Sequence, residues 1–90
     1  MYNLTKTIKY SAINFNTNIK HIVVYHLKWV DSTYDATVTE KIVKLDGSKV
    51  FRDTTDHQEC VNMEWLKHFL NMHKELDTNK GYYVDIKGLA

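Results

Sequence analysis

Proline is absent from this chain of 90 residues, cysteine and arginine each occur once, and glycine occurs three times. Without proline-rich, glycine-rich or serine-rich stretches, no flexible linker or low-complexity segment divides it. The lone cysteine, Cys60, excludes an internal disulfide and fits a reducing compartment. The lone arginine, Arg52, limits bidentate recognition of phosphates or bases. The remaining basic residues are lysines spread from Lys6 to Lys87 without a run, and the formal net charge is only +1. Nucleic-acid binders concentrate their basic residues on one face, so this distribution disfavours that class. No stretch approaches the roughly 20 apolar residues that span a bilayer, and none is expected to meet a membrane. Met1-Tyr2-Asn3-Leu4 shows no charged segment leading into an apolar one, so no secretion signal is expected. The three glycines, Gly47, Gly81 and Gly88, are isolated and make no phosphate-cradling loop.

What is present fits one small domain over residues 1–90. A fold of this size removes roughly 60–65% of the surface that its unfolded chain exposes. Two Trp, six Tyr and three Phe supply large anchors for a single core.

Period-two alternation predicts the strands. Leu4, Ile8 and Tyr10 share one side of a first strand, and Ile13 and Phe15 fall on the opposite parity. That slip near Ser11-Ala12 predicts a bulge or a second short strand. Asn14, Asn16, Thr17 and Asn18 form a polar turn. Ile22 to Val30 is the strongest strand, with Val23, Tyr25, Leu27 and Trp29 on one face. Asp31 to Asp35 reads as a loop with Tyr34 at its tip, and Thr37 to Leu45 as the next strand. Asp46-Gly47 marks a tight hairpin, and Lys49 to Arg52 a short return strand.

Asp56 and Glu59 have capping-box spacing, which predicts one long helix over about 57–76. Trp65, Leu66, Phe69, Met72 and Leu76 form its apolar stripe. Trp65 and Phe69 are expected to meet Tyr25 and Trp29 in the core. Thr78-Asn79-Lys80-Gly81 ends the helix, and Tyr82 to Ile86 reads as a final strand. The expected fold is therefore α+β: a mostly antiparallel sheet of four or five strands, with one helix across a face and a C-terminal strand.

Residues capable of chemistry are present but not grouped. His21 and His26 should point to opposite faces of a strand. His68 and His73 lie about 140° apart around a helix. His57 and Cys60 could share a metal ion, but structural zinc needs two more protein ligands. In the predicted first helical turn, Cys60 is expected to pack beside Val61. Asp31, Asp35, Asp53 and Asp56 are turn residues by position. No catalytic residue, metal or cofactor is expected. Tyr2, Tyr10, Tyr34, Tyr82 and Tyr83 exceed what a core needs, and tyrosine favours binding patches. These five are the expected partner-binding residues.

The layout also resembles a group of short tailed-phage proteins, some encoded among virion genes. The matching residues are Val23-Val24-Tyr25-His26-Leu27-Lys28-Trp29, Leu45-Asp46, Phe51, and Val61 through Trp65 to Leu70, within about 7–76. Those relatives open the helix with a more acidic run than Thr55-Asp56-His57-Gln58-Glu59 and carry prolines near their ends. The resemblance implies a phage accessory or virion-associated protein that binds other proteins. The alternative is an inhibitor of a host defence or transcription protein. Either would work in the host cytoplasm or in the virion, and self-association through a sheet edge, on the strands beginning at Leu4 or Lys49, is a further expectation.

Overall fold

The computed structural model describes residues 5–89. Three sharp reversals lay the first four strands side by side: β1 (Thr5–Asn14), β2 (Ile19–Val30), β3 (Thr33–Lys44) and β4 (Val50–Val61). At the first reversal, the Asn14 side chain accepts from the backbone N–H groups of Asn16 and Thr17, and Asn18 adopts the left-handed φ of 57°. The second uses only Asp31 and Ser32, both at positive φ, a two-residue turn whose twist matches the flanking strands. The third places Gly47 at φ 77°. There the Asp46 carboxylate accepts from Ser48, whose side chain and backbone N–H hold it below the ordinary carboxylate range. After the helix α1 (Met63–Asn79), the strand β5 (Tyr83–Lys87) returns alongside β1. The sheet order is β4-β3-β2-β1-β5, with every neighbour antiparallel. This is the α+β architecture that the alternating strands and apolar helix anticipate.

The core follows from strand parity. Ile8, Tyr10 and Ala12 on β1, Tyr25 and Leu27 on β2, Ala36 on β3 and Val61 on β4 all face α1, which buries Leu66 and Leu70 against them. Val84 and Ile86 of β5 pack on the margin of this cluster. Gly88, at φ 84°, lies so close to β1 that a Cβ there would collide with the Thr7 carbonyl.

Several local features differ from the sequence expectation. β1 pairs with β2 in unbroken register through Ser11 and Ala12, without the anticipated slip. Ala12 simply continues the inner face with a small side chain. The loop expected over Asp31–Asp35 shrinks to its first two residues, and Tyr34 lies within β3, opposite Trp29. The largest difference is β4, which runs through Asp53–Cys60, where the lead-in and first turn of a helix were expected. An edge strand exposed on both faces needs no apolar alternation, so its pattern is silent. The Asp-Thr-Thr-Asp-His run is also poor helix material. The helix starts later, capped by Asn62, whose side chain accepts from the Trp65 N–H at 3.0 Å. Cys60 therefore sits at the end of an exposed strand, at φ 57°, rather than packed in a helical turn.

The tryptophans are not in the core. Trp65 is 57% exposed and Trp29 41% exposed, while Leu66 is 1% exposed. The stripe is rotated so that Leu66 and Leu70 point at the sheet.

Leu66→Ala should therefore destabilise the fold by about 2–5 kcal/mol, whereas Trp65→Ala should change it by no more than about 1 kcal/mol. Urea unfolding of the two variants checks this, with a lower midpoint expected only for Leu66→Ala.

Candidate functional site

A single helix covers only part of the sheet. Eleven of the twelve residues of β4 are exposed, and α1 instead runs close to the backbone of β5. Between α1 and the uncovered part of β2–β4 lies a groove of about 290 Å³. Val23, Tyr25 and Val38 form its floor, Phe69, Leu70 and His73 one wall, and Thr54, Asp56 and Gln58 of β4 the other.

Polar contacts fix the groove's surroundings. The Tyr10 hydroxyl donates to Asp77 Oδ2 at 2.6 Å, tying β1 to the last turn of the helix. Burial raises the Tyr10 pKa above the ordinary tyrosine value, and the Asp77 hydrogen bond and charge add to it. Burial also raises that of Tyr25, reinforced by the charge of Glu40. Glu40 on β3 receives His21 Nε2 at 3.1 Å from β2 and Arg52 Nη1 at 3.0 Å from β4. The only arginine thus completes a chain of polar contacts across three strands. At partial exposure each such pair is worth about 0–1 kcal/mol.

Along the helix rim, Trp65 stacks on Phe69 with ring centres 5.0 Å apart, and Phe69 meets the His73 ring at 4.3 Å. Met72 and Leu76 continue this apolar line in solvent.

The opposite face of the sheet carries a wider, shallow hollow of about 590 Å³. Thr7, His26, Thr37 and His57 stand in one cross-strand row. Thr7 Oγ1 lies 3.4 Å from His26 Nδ1, and Thr37 Oγ1 lies 3.3 Å from His57 Nδ1. His26 on β2 and His57 on β4 are separated by β3, and each ring nitrogen faces a threonine hydroxyl of a neighbouring strand. Spacing along the chain does not reveal this row, because it depends on the pairing of four strands. His21 and His26 do face opposite sides, as alternation requires.

No family model, curated protein or solved structure matches this chain.

The five tyrosines read as partner-binding residues fall in different places. Tyr10 is buried at 4% exposure and is a core residue, because its side of β1 lies under the helix. Tyr34 is half-buried on β3 and meets Trp29 edge-on at 4.9 Å. Tyr82 is half-buried against the core, and Tyr83 is exposed. Tyr2 lies outside the described residues. Phe15, Trp29, Phe51 and Trp65 are exposed aromatics outside that set, and Trp65 has Phe69 stacked beside it.

Among the described residues, no group of three or more His, Cys, Asp or Glu side chains is placed to hold a metal ion. No helix of the described residues is long and apolar enough to cross a membrane. His57 engages Thr37 on the face away from the helix, and Cys60 lies beyond it at the strand end.

Both perturbed tyrosines hold their protons more tightly in the folded state than in the unfolded one. Their contribution to stability is therefore intact below pH about 10 and is lost as the pH rises through the folded-state values. Tyrosinate absorbance during alkaline titration should show one set of tyrosines ionising normally and another only at higher pH or on unfolding. Tyr10→Phe should remove part of the delayed set.

Proposed function

We propose that this protein is a non-catalytic binding module, an accessory or virion-associated protein of a tailed phage that docks onto a larger protein assembly. The observation that carries this reading is the unroofed groove bordered by Phe69 and His73, with Trp65, Met72 and Leu76 exposed along the same helix. Large apolar side chains left together in water mark interaction surfaces. Aromatic and Met residues are also the types enriched at interface centres. Several polar side chains of the groove are engaged, Tyr10 with Asp77 and Glu40 with His21 and Arg52. That arrangement suits a docking surface better than proton transfer. The phage assignment is supported by the sequence resemblance described above.

A partner would seat an apolar side chain in the groove and cover the Trp65–Phe69 stack. Mass spectrometry of purified virions should find the chain among the particle proteins, and particles without it would remove the virion reading. A paired Trp65→Ala and Met72→Ala variant should keep its circular dichroism and melting temperature. It should lose binding to the captured partner by roughly tenfold or more, as expected for truncating central anchors. Unchanged binding by that variant would exclude this surface.

A further inference from the structure

The exposed edge of β4 has a property that its exposure alone does not confer. An edge strand presents unpaired backbone N–H and C=O groups, and proteins usually keep such edges short or interrupt them. The other edge, β5, has five residues, whereas β4 has twelve. Irregularities in the pairing with β3 flank a regular run from Arg52 to Gln58. Its side chains alternate strictly between the two faces. Arg52, Thr54, Asp56 and Gln58 lie on the helix side, and Asp53, Thr55 and His57 on the other.

We infer that β4 pairs antiparallel with β4 of a second copy of this chain, about a two-fold axis perpendicular to the sheet at Thr54. The two five-stranded sheets then become one continuous sheet with both helices on the same side. The argument is charge complementarity about that centre. A two-fold axis in this orientation requires opposed residues to share a face, so only registers with an even residue sum are allowed. Centred on Thr54, Arg52 stands opposite Asp56 of the other copy, and this occurs twice by symmetry. Asp53 stands opposite Thr55 within the same regular run.

Neighbouring registers lose this match. Centring on Asp53 sets two aspartates face to face, and centring on Asp56 does the same. Centring on Thr55 moves Arg52 from Asp56 to the neutral Gln58. Like charges directly opposed across strands are destabilising, and opposed charges stabilising. Charges on an edge ordinarily discourage self-pairing, but here they are arranged symmetrically about Thr54 and favour it.

In the paired form, the Glu40–Arg52 contact within each chain continues to Asp56 of the neighbour. The grooves walled by Thr54 and Asp56 then flank the axis and face the same way. The inference does not depend on the docking role proposed for the helix rim: the two share the groove wall of Thr54, Asp56 and Gln58, but the Trp65 and Met72 side chains of the rim belong to the helix and take no part in the β4 pairing.

Light scattering on the purified chain should give twice the 10.6 kDa chain mass. Arg52→Asp and Asp56→Arg should each weaken dimerisation on the order of tenfold or more, and the two combined should restore it. Asp56→Arg leaves the Glu40–Arg52 pair in place, so its effect separates the interface from local damage. Residues directly opposed on antiparallel strands have Cα atoms about 4.5–5.5 Å apart, within disulfide reach. In a Cys60→Ser background, Thr54→Cys should therefore oxidise readily to a covalent dimer, and Thr55→Cys should not. A monomer at all concentrations, or a dimer indifferent to both charge reversals, overturns the inference. Cross-linking through Thr55→Cys in place of Thr54→Cys overturns the register. Partner binding lost only on changing Trp65 and Met72 would leave a dimer intact, so the two proposals fail separately.

Discussion

An α-helix with its side chains is about 10–12 Å wide, and neighbouring strands lie about 4.8 Å apart. One helix can therefore roof two or three strands, and this sheet has five. Much of the molecule follows from that mismatch. The buried side chains concentrate on β1 and β2, next to the helix, while β3 contributes Ala36 and β4 only Val61. The part of the sheet beyond the helix cannot be apolar on its inner face without exposing a large patch to water. It carries Glu40, Thr54, Asp56 and Gln58 instead, and the boundary between roofed and unroofed sheet becomes the groove.

The two parts are held by different physics. Under the helix, closely packed aliphatic side chains supply about 1.5–3 kcal/mol each on burial, and the Tyr10–Asp77 hydrogen bond locks the helix end to β1. Beyond it, the backbone ladder between β3 and β4 and the His21–Glu40–Arg52 chain do most of the work. Local opening is easiest where few apolar contacts oppose it. The outer strands are thus the adaptable part of the fold, beside a stiffer body formed by α1, β1, β2 and β5.

Amino-acid pattern reveals the stiffer body far better than the adaptable one. β2 is plain in the sequence from Ile22 to Val30, as are the polar turn at Asn14–Asn18, the Asp46-Gly47 reversal and the closing strand near Tyr82–Ile86. β4 was hidden because an exposed edge leaves no apolar period. Asp56 and Glu59 then mimicked a helix cap six residues before Asn62, the real one. The stripe read from spacing, Trp65, Leu66, Phe69, Met72 and Leu76, leaves out the buried Leu70 and includes three exposed residues, because helical spacing alone does not say which part of a broad apolar face points inward. Trp65 was assigned to the core for its size, whereas the smaller Leu66 and Leu70 fit between helix and strands. The groove itself could not be foreseen from spacing, since its floor and walls come from β2, β3, β4 and α1 at once. Tyr10 illustrates the converse: as a surplus tyrosine it suggested a surface, yet its parity with Ile8 already placed it inside.

The placement of β5 beside β1 has a mechanical consequence. β5 runs antiparallel to β1, and its last residue, Lys87, pairs with Lys9, near the start of β1. The chain therefore enters the first strand and leaves the last at the same end of the sheet. Tension applied through the flanking chain would open the β1–β5 ladder one rung after another, like a zipper, rather than shearing all its bonds together. Tethered by both ends, this fold would yield at low force from the β5 side, and the β2–β3–β4 meander would be the last part to feel the load.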